Sequence, residues 1–246
     1  MRWLTYFFNC LLCGIVAIQV FFALQIGLWS SLDPSSTAFQ RAERWRLCTW
    51  HWSCPIQSHW VSYNHIAANL KRAVLVSEDD IFFQHKGVRV EDMQKAWEKN
   101  QQKNHVGGKS KIALRGGSTI TQQLAKNLFL SSEQNYFRKA QELIITGMLE
   151  LTLSKQRLFE IYLNSVEWGE GIFGIGAAAQ HYFVTTPAGL SREESAALAS
   201  ALPAPKCFDK AQYCRKANIN FPIRQDFILE NMDRVALTST VKSGSH

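Results

Sequence analysis

The sequence predicts a mostly α-helical domain tethered to a membrane by one amino-terminal helix, and three observations carry that reading. No charge occurs between Arg2 and Asp33, and the stretch Tyr6–Trp29 is almost wholly apolar, long enough to cross a hydrocarbon core that needs about 20 residues. Beyond it, apolar residues recur at three-to-four spacing in one segment after another, opened by capping residues. No period-two run or two-residue hairpin signal stands out.

The composition agrees. With 246 residues, 46% hydrophobic, 19% charged, 14 Gly and 6 Pro, the chain is neither disordered, collagen-like nor a polytopic membrane protein. Residues 1–32 read as a short cytoplasmic stub and transmembrane anchor. A cleaved signal peptide is the alternative, but its apolar region runs only about 7–15 residues before a small-residue cleavage site. Asn9, Gln19 and Gln25 interrupt the span and are polar enough to mark a helix contact. Arg2 and the initiator amine are the only positive charges near the amino-terminal end, which places that end in the cytoplasm and the rest outside; Arg41, Arg44 and Arg46 weigh the other way.

Residues 33–60, short on periodicity and rich in Trp (45, 50, 52 and 60), read as a membrane-proximal linker. The folded domain then occupies 61–237 and a polar tail 238–246. A helix capped by Asn64 carries Ile66, Leu70, Val74 and Ser77 on one face and ends near Glu78–Asp80. A second is expected over about 90–100, followed by a lysine-rich loop to Arg115. Thr119 and Gln122 have capping-box spacing and open a helix to about Leu130. Another begins near Phe137, with Phe137, Ala140, Ile144, Met148 and Leu151 as its apolar stripe. Ser154 caps a helix bearing Leu158, Ile161 and Tyr162. Glycines 169, 171, 174 and 176 precede the alanine-rich 177–183. The last expected helix opens on Ser191-Arg192-Glu193-Glu194 and stops at Pro203.

Of six cysteines, Cys10 and Cys13 lie in the span. Cys48, Cys54, Cys207 and Cys214 lie in the exported part, where two local disulfides, 48–54 and 207–214, are expected. Zinc is the rival, although the spacings do not match the usual knuckles. The chain is basic, with 27 Lys+Arg against 20 Asp+Glu, and between Lys99 and Lys126 it has six basic residues and no acidic one. That run flanks a glycine turn and fits an anion: nucleic acid, lipid headgroup or a phosphate-bearing substrate. Gly107-Gly108-Lys109-Ser110 ends like a P-loop, but Lys103 stands where glycine is needed and no strand precedes it, so no nucleotide site is expected.

Four segments can carry chemistry. In SEDDIFFQHKG (77–87), Glu78 sits at the negative end of an apolar helix beside Asp79 and Asp80, a setting suited to a carboxylate that exchanges protons; taken alone it reads rather as an exposed acidic helix end. In RGGSTITQQLAKN (115–127), glycines and a helix amino terminus favour an anion, or simply make a capped helix. In RKAQE (138–142), Arg138 and Glu142 share one helix face, as a surface ion pair would. EIYLNSVEWGEGIFGIGAAAQHYF (160–183) has the glycines and aromatics of a tight turn beside a groove.

In this order the four segments resemble the motifs of the peptidoglycan glycosyltransferases, the enzymes that polymerise lipid II into glycan strands. The match comprises ED-x-x-F-x-x-H-x-G at 78–87, GGSTITQQ-x-x-KN at 116–127, RK-x-x-E at 138–142 and YLN with its trailing glycines at 162–176. The resemblance implies a lysozyme-like, two-lobed helical fold with a groove over the membrane, and the short chain suggests the monofunctional form. It makes Glu78 the general base and Glu142 the second essential carboxylate. Substrate contacts fall to Asp79, Phe82, His85, Ser118, Thr119, Gln123, Lys126, Asn127 and Arg138, with Lys126 and Arg138 on the departing pyrophosphate. Glu142 is also the place for a divalent cation, Mg or Mn; no nucleotide or organic cofactor is implied. The implied partners are lipid II, the growing lipid-linked strand, the bilayer and proteins of cell division or elongation, with no nucleic acid because the domain is exported. The implied location is the bacterial inner membrane, with the domain on the periplasmic side. Val88 departs from the family pattern, and the Trp/Cys-rich 45–60 segment has no place in it.

Two other readings compete. A glycan-cleaving hydrolase or lytic transglycosylase also uses paired acids but needs no pyrophosphate site, against which the basic cluster argues. A non-enzymatic scaffold would not need Glu78 and Glu142, and both are present.

Overall fold

The computed structural model describes residues 2–50, 56–89, 117–130, 135–216 and 219–238. The expected helix over 90–100, most of the lysine-rich run and Cys54 lie outside these residues, as does almost all of the polar tail. The described chain is mostly helical, as the periodicity requires.

Helix α1 (Arg2–Leu28) covers most of the uncharged stretch that follows Arg2, and it ends in contact with the domain rather than apart from it. Its Ile26 is fully buried. Phe22 and Trp29 both pack on Phe129, with ring centroids 4.9 and 5.1 Å apart. Two of the polar residues in the span separate in role. Gln19 exchanges two amide hydrogen bonds with Gln141, at 3.0 and 3.1 Å, whereas no such tie holds Asn9 among the described contacts. Arg157 closes the junction by donating to the carbonyls of Trp29 and Leu32 and pairing with Asp33 at 2.8 Å.

Within the expected linker over 33–60, the chain forms a helix, α2 (Ala38–Trp50). Its start carries a capping box overlooked in the sequence: Gln40 N–H donates to Thr37 Oγ1 at 3.0 Å, and Thr37 N–H donates to Gln40 Oε1 at 2.8 Å. Its helical period was hidden because the buried residues Gln40 and Glu43 are polar beside Leu47. Glu43 is satisfied by Arg46 and Lys206, as a buried carboxylate must be.

A 3₁₀ turn (Tyr63–His65) precedes α3 (Ala68–Glu78), so Asn64 is not the cap of that helix. The helix is delayed because Ala67 N–H donates to Pro187 O at 2.9 Å, tying the chain to a neighbouring loop. Helix α3 is buried from Ala73 to Glu78, its polar Ser77 and Glu78 included. It ends at Glu78, at the place the sequence indicates.

Helices α4 (Ile120–Phe129), α5 (Tyr136–Thr152) and α6 (Lys155–Ser165) follow. Each opens on a side-chain cap: Thr119 with its full box, Asn135 and Ser154. The stripe expected to bury α5 does not. Phe137 is 91% and Leu151 90% exposed, and the face turned inward is Glu142, Ile145, Thr146 and Leu149. The spacing defined a face without saying what covers it.

The glycine-rich segment holds a feature the sequence reading missed. Strands β2 (Glu167–Gly169) and β3 (Ile172–Phe173) form an antiparallel hairpin across Glu170-Gly171, and β1 (Gln57–Ser58) adds to β3 in parallel. Strands of two or three residues are too short to show alternation. Gly174, at φ +77°, leads into α7 (Ile175–Phe183); a Cβ there would meet Asn164 O at 2.6 Å, so only glycine fits.

Helix α8 (Arg192–Ala201) has the expected capping box of Ser191 and Glu194. It is not the last helix. Short α9 (Pro205–Asp209) and α10 (Phe221–Asn231) follow, the latter capped by Asn220 with Pro222 in its first turn. Cys207 and Cys214 are disulfide-bonded, as expected; the 48–54 pairing involves a residue outside the described set. Helices α3, α8 and α10 pack on one another, and α4 packs on α2, α5 and α6. The core is centred on Trp168, Tyr162, Phe82, Phe159 and Phe173.

Candidate active site

Each motif is a local pattern, and the site arises where α3, α4, α5 and α6 bring the motifs together. Asp79, just past the end of α3, is fully buried. It accepts from the N–H of Ile120 at 3.1 Å and bonds His85 Nε2 at 2.8 Å, pinning the start of α4 to the end of α3. Thr119 Oγ1 donates to Gly87 O at 2.6 Å, a second tie between the first two motifs. Gly87 takes φ +82°, and a Cβ on it would meet Thr146 and Glu150 at 2.8 Å. Phe82 is buried against Phe159, centroids 5.6 Å apart. Asp79, Phe82, His85 and Thr119 therefore brace the site from beneath, and Asn127 is buried outside the pocket lining.

Glu78 is 8% exposed. Gln123 Nε2 donates to its Oε2 at 2.8 Å, and Ser77 Oγ lies 3.0 Å from its Oε1. The amide of Gln123 is itself oriented, because the Tyr162 hydroxyl donates to Gln123 Oε1 at 3.0 Å. Burial, with the charges of Glu78 and Asp79, pushes the Tyr162 phenol well above its ordinary value, so it remains a donor.

On the other side of Gln123 opens a cavity of about 280 Å³, lined by Phe39, Ser118, Gln122, Gln123, Lys126, Arg138, Lys139 and Glu142. Three cations share it with one buried carboxylate. Arg138 Nη1 is 3.0 Å from Glu142 Oε2, and Lys139 bonds Glu142 Oε1. Lys126 stands a turn and a half from the start of α4 and is brought to the same cavity by α5 packing on α4. Burial pushes the Lys126 ammonium below its ordinary value; Arg138 and Lys139 add to this, while Glu142 and Glu78 oppose it. A buried cation disfavoured in this way gains most from an arriving anion.

The wall residue Phe39 comes from α2, with Lys126 Nζ 5.5 Å from its ring centroid. Sequence reasoning missed it by treating 33–60 as linker. Gln122 and Lys139 were also missed as lining residues; the period of α5 places Lys139 and Glu142 on one face, a signal that was present.

The donor set does not fit a metal held by the protein. Both oxygens of Glu142 are taken by cations, and no cluster of three or more His, Cys, Asp or Glu suited to a metal occurs among the described residues.

A family model described as Transglycosylase matches residues 50–233, which contain every lining residue except Phe39. Similar proteins are named biosynthetic peptidoglycan transglycosylase. That of Cupriavidus metallidurans is 58% identical over 96% of this chain and 99% of its own length. Those of Cupriavidus pinatubonensis and Ralstonia nicotianae are 55% and 51% identical over 96% of this chain, and over 92% and 99% of their own lengths.

Proposed function

The chain belongs to the transglycosylase family, and from that premise we propose that it polymerises lipid II into β-1,4-linked glycan strands, with Glu78 as the base and the cavity beside it as the pyrophosphate site. The observation that carries this reading is the position of Gln123, which lines the cationic cavity and donates to Glu78 at 2.8 Å. A base and an anion site one side chain apart are what a glycosyl transfer from a diphosphate requires.

In the reaction, Glu78 takes the proton of the acceptor sugar's 4-hydroxyl as that oxygen bonds the donor's anomeric carbon. The bond from that carbon to the phosphate oxygen breaks on the opposite face, so configuration inverts. Charge grows on the leaving pyrophosphate, where Lys126, Arg138 and Lys139 meet it already oriented. Glu142 holds Arg138 and Lys139 in place until the anion arrives. A hydrolase would have no use for this cationic cavity. Mg or Mn, if it takes part, comes with the pyrophosphate rather than on a protein cage; strand synthesis with and without a chelator tests this.

The anchor supports a lipid-linked substrate. Gln141, in the same helix as Arg138 and Glu142, is bonded to Gln19, which precedes Leu28 by roughly 14 Å of helix. A spanning α1 would therefore hold this end of α5 below the bilayer surface, where exposed Tyr136 and Phe137 meet lipid. With Arg2 inside, the domain lies on the periplasmic face, and division or elongation proteins are its candidate partners. Incubation of the full chain with lipid II tests the reading: glycan ladders are expected, and their absence overturns it.

A further inference from the structure

Glu78 has a second set of partners on the side away from the cavity. Arg224, from α10, belongs to none of the four motifs and is 5% exposed. Its Nη2 donates to Ser77 Oγ at 2.9 Å and lies 3.9 Å from Glu78 Oε1. Ser77 Oγ in turn stands 3.0 Å from Glu78 Oε1 and 2.9 Å from the carbonyl oxygen of Ala199 on α8. Three helices thus converge on one hydroxyl directly beneath the base.

A serine hydroxyl has a single proton to give. With the guanidinium donating into its oxygen, that proton has two destinations, the Glu78 carboxylate and the Ala199 carbonyl. A charged carboxylate is the stronger acceptor. Once Glu78 is protonated, the Ala199 carbonyl is the better acceptor, and the Ser77 proton can turn to it without any heavy atom moving.

We infer that Arg224, acting through Ser77, is a positioning residue for Glu78: it fixes the carboxylate for proton abstraction. The inference rests on Glu78 being the base. Among the described residues, the other groups facing Glu78 are Lys126 and Gln123 from α4, the Tyr162 hydroxyl from α6, and Asp79 beside it. Lys126 brings positive charge from the cavity side and Arg224 from beneath. Burying a guanidinium is costly unless its charge is used or paired, and this one is buried 3.9 Å from the base.

The test compares wild type, Arg224→Lys, Arg224→Met, Ser77→Ala and Glu78→Gln as full chains in detergent, with kcat and KM for lipid II measured and Tm beside them. Arg224→Met is expected to lower kcat on the order of tenfold with KM unchanged. Arg224→Lys, which keeps the charge, returns kcat toward wild type. Should Arg224→Met not fold, Ser77→Ala and Arg224→Lys carry the test: Ser77→Ala lowers kcat several-fold at unchanged KM. A kcat that stays at the wild-type value in every foldable variant, with only Tm reduced, overturns the inference alone. Activity in Glu78→Gln would remove the base assignment and the inference together.

Discussion

Removing the hydroxyl of Tyr162 tests how the base is held. Tyr162 is fully buried and its hydroxyl donates to Gln123 Oε1 at 3.0 Å, while the other end of that amide donates to Glu78 Oε2 at 2.8 Å. Tyr162→Phe deletes one oxygen and leaves the ring in place. The amide carbonyl of Gln123 then loses its donor in a part-buried position, a cost of about 1–3 kcal/mol in stability, or a fall in Tm of roughly 2–10 °C for a domain of this size. Without that donor the amide is free to turn, and Glu78 loses part of a charge-assisted hydrogen bond worth about 1.5–3 kcal/mol. Losing about half of it slows kcat some three- to tenfold. KM for lipid II should hold, because Lys126, Arg138 and Lys139 keep their places in the cavity. The assay is strand synthesis beside thermal melting for Tyr162→Phe, Gln123→Ala and the double variant. If the chain of bonds acts as a unit, the double variant is no slower than Gln123→Ala alone. Additive losses, or a fully active Tyr162→Phe, would refute the linkage.

Other perturbations bear on the same account. Lys126→Ala should cut kcat by on the order of a hundredfold with Tm unchanged or higher, since one of three crowded cations goes; a collapsed Tm with normal specific activity contradicts the pyrophosphate role. Because burial lowers the Lys126 ammonium's titration, activity should fall on the alkaline side, and Lys126→Arg should move that limb to higher pH. Phe39→Ala should raise KM for lipid II about two- to fivefold, and an unchanged KM would remove α2 from the site. Burial pushes the Glu167 carboxyl up to about 7, with Lys206 at 3.5 Å opposing. Its folded value lies above its unfolded one, so it contributes stability below about pH 4.5 that is lost as pH rises to about 7, on the order of 3 kcal/mol. Melting curves of Glu167→Gln should lack that part of the pH dependence, and identical curves would contradict it.

What could be read from the sequence was local chemistry. The boxes at Thr119 and Ser191 and the cap at Ser154 appear where their spacing puts them, because capping is settled within four residues. The end of α3 at Glu78 and the shared face of Arg138 and Glu142 follow for the same reason. Tertiary context decided the rest. The outward stripe of α5 and the polar buried face of α2 reverse the usual link between apolar spacing and burial, because α5 has exposed apolar surface beside the anchor and α2 buries charge against Lys206 and Glu170. The hairpin at Glu170-Gly171 was too short to announce itself. The convergence of Lys126 with Arg138, and of Arg224 with Glu78, depends on packing between segments far apart in sequence, for which one chain holds no periodic sign. Motif resemblance supplied the first of these and could not supply the second, since Arg224 lies in none of the motifs.

The central claim is that Glu78 removes the proton from the attacking sugar hydroxyl. Single-turnover transfer on lipid II by wild type and Glu78→Gln, at matched fold as judged by Tm, measures this most directly. Glu78→Gln should keep its affinity for the substrate and lose strand synthesis by a thousandfold or more, on the order of a general base's contribution. Glycan ladders of wild-type length and rate from Glu78→Gln would contradict the account.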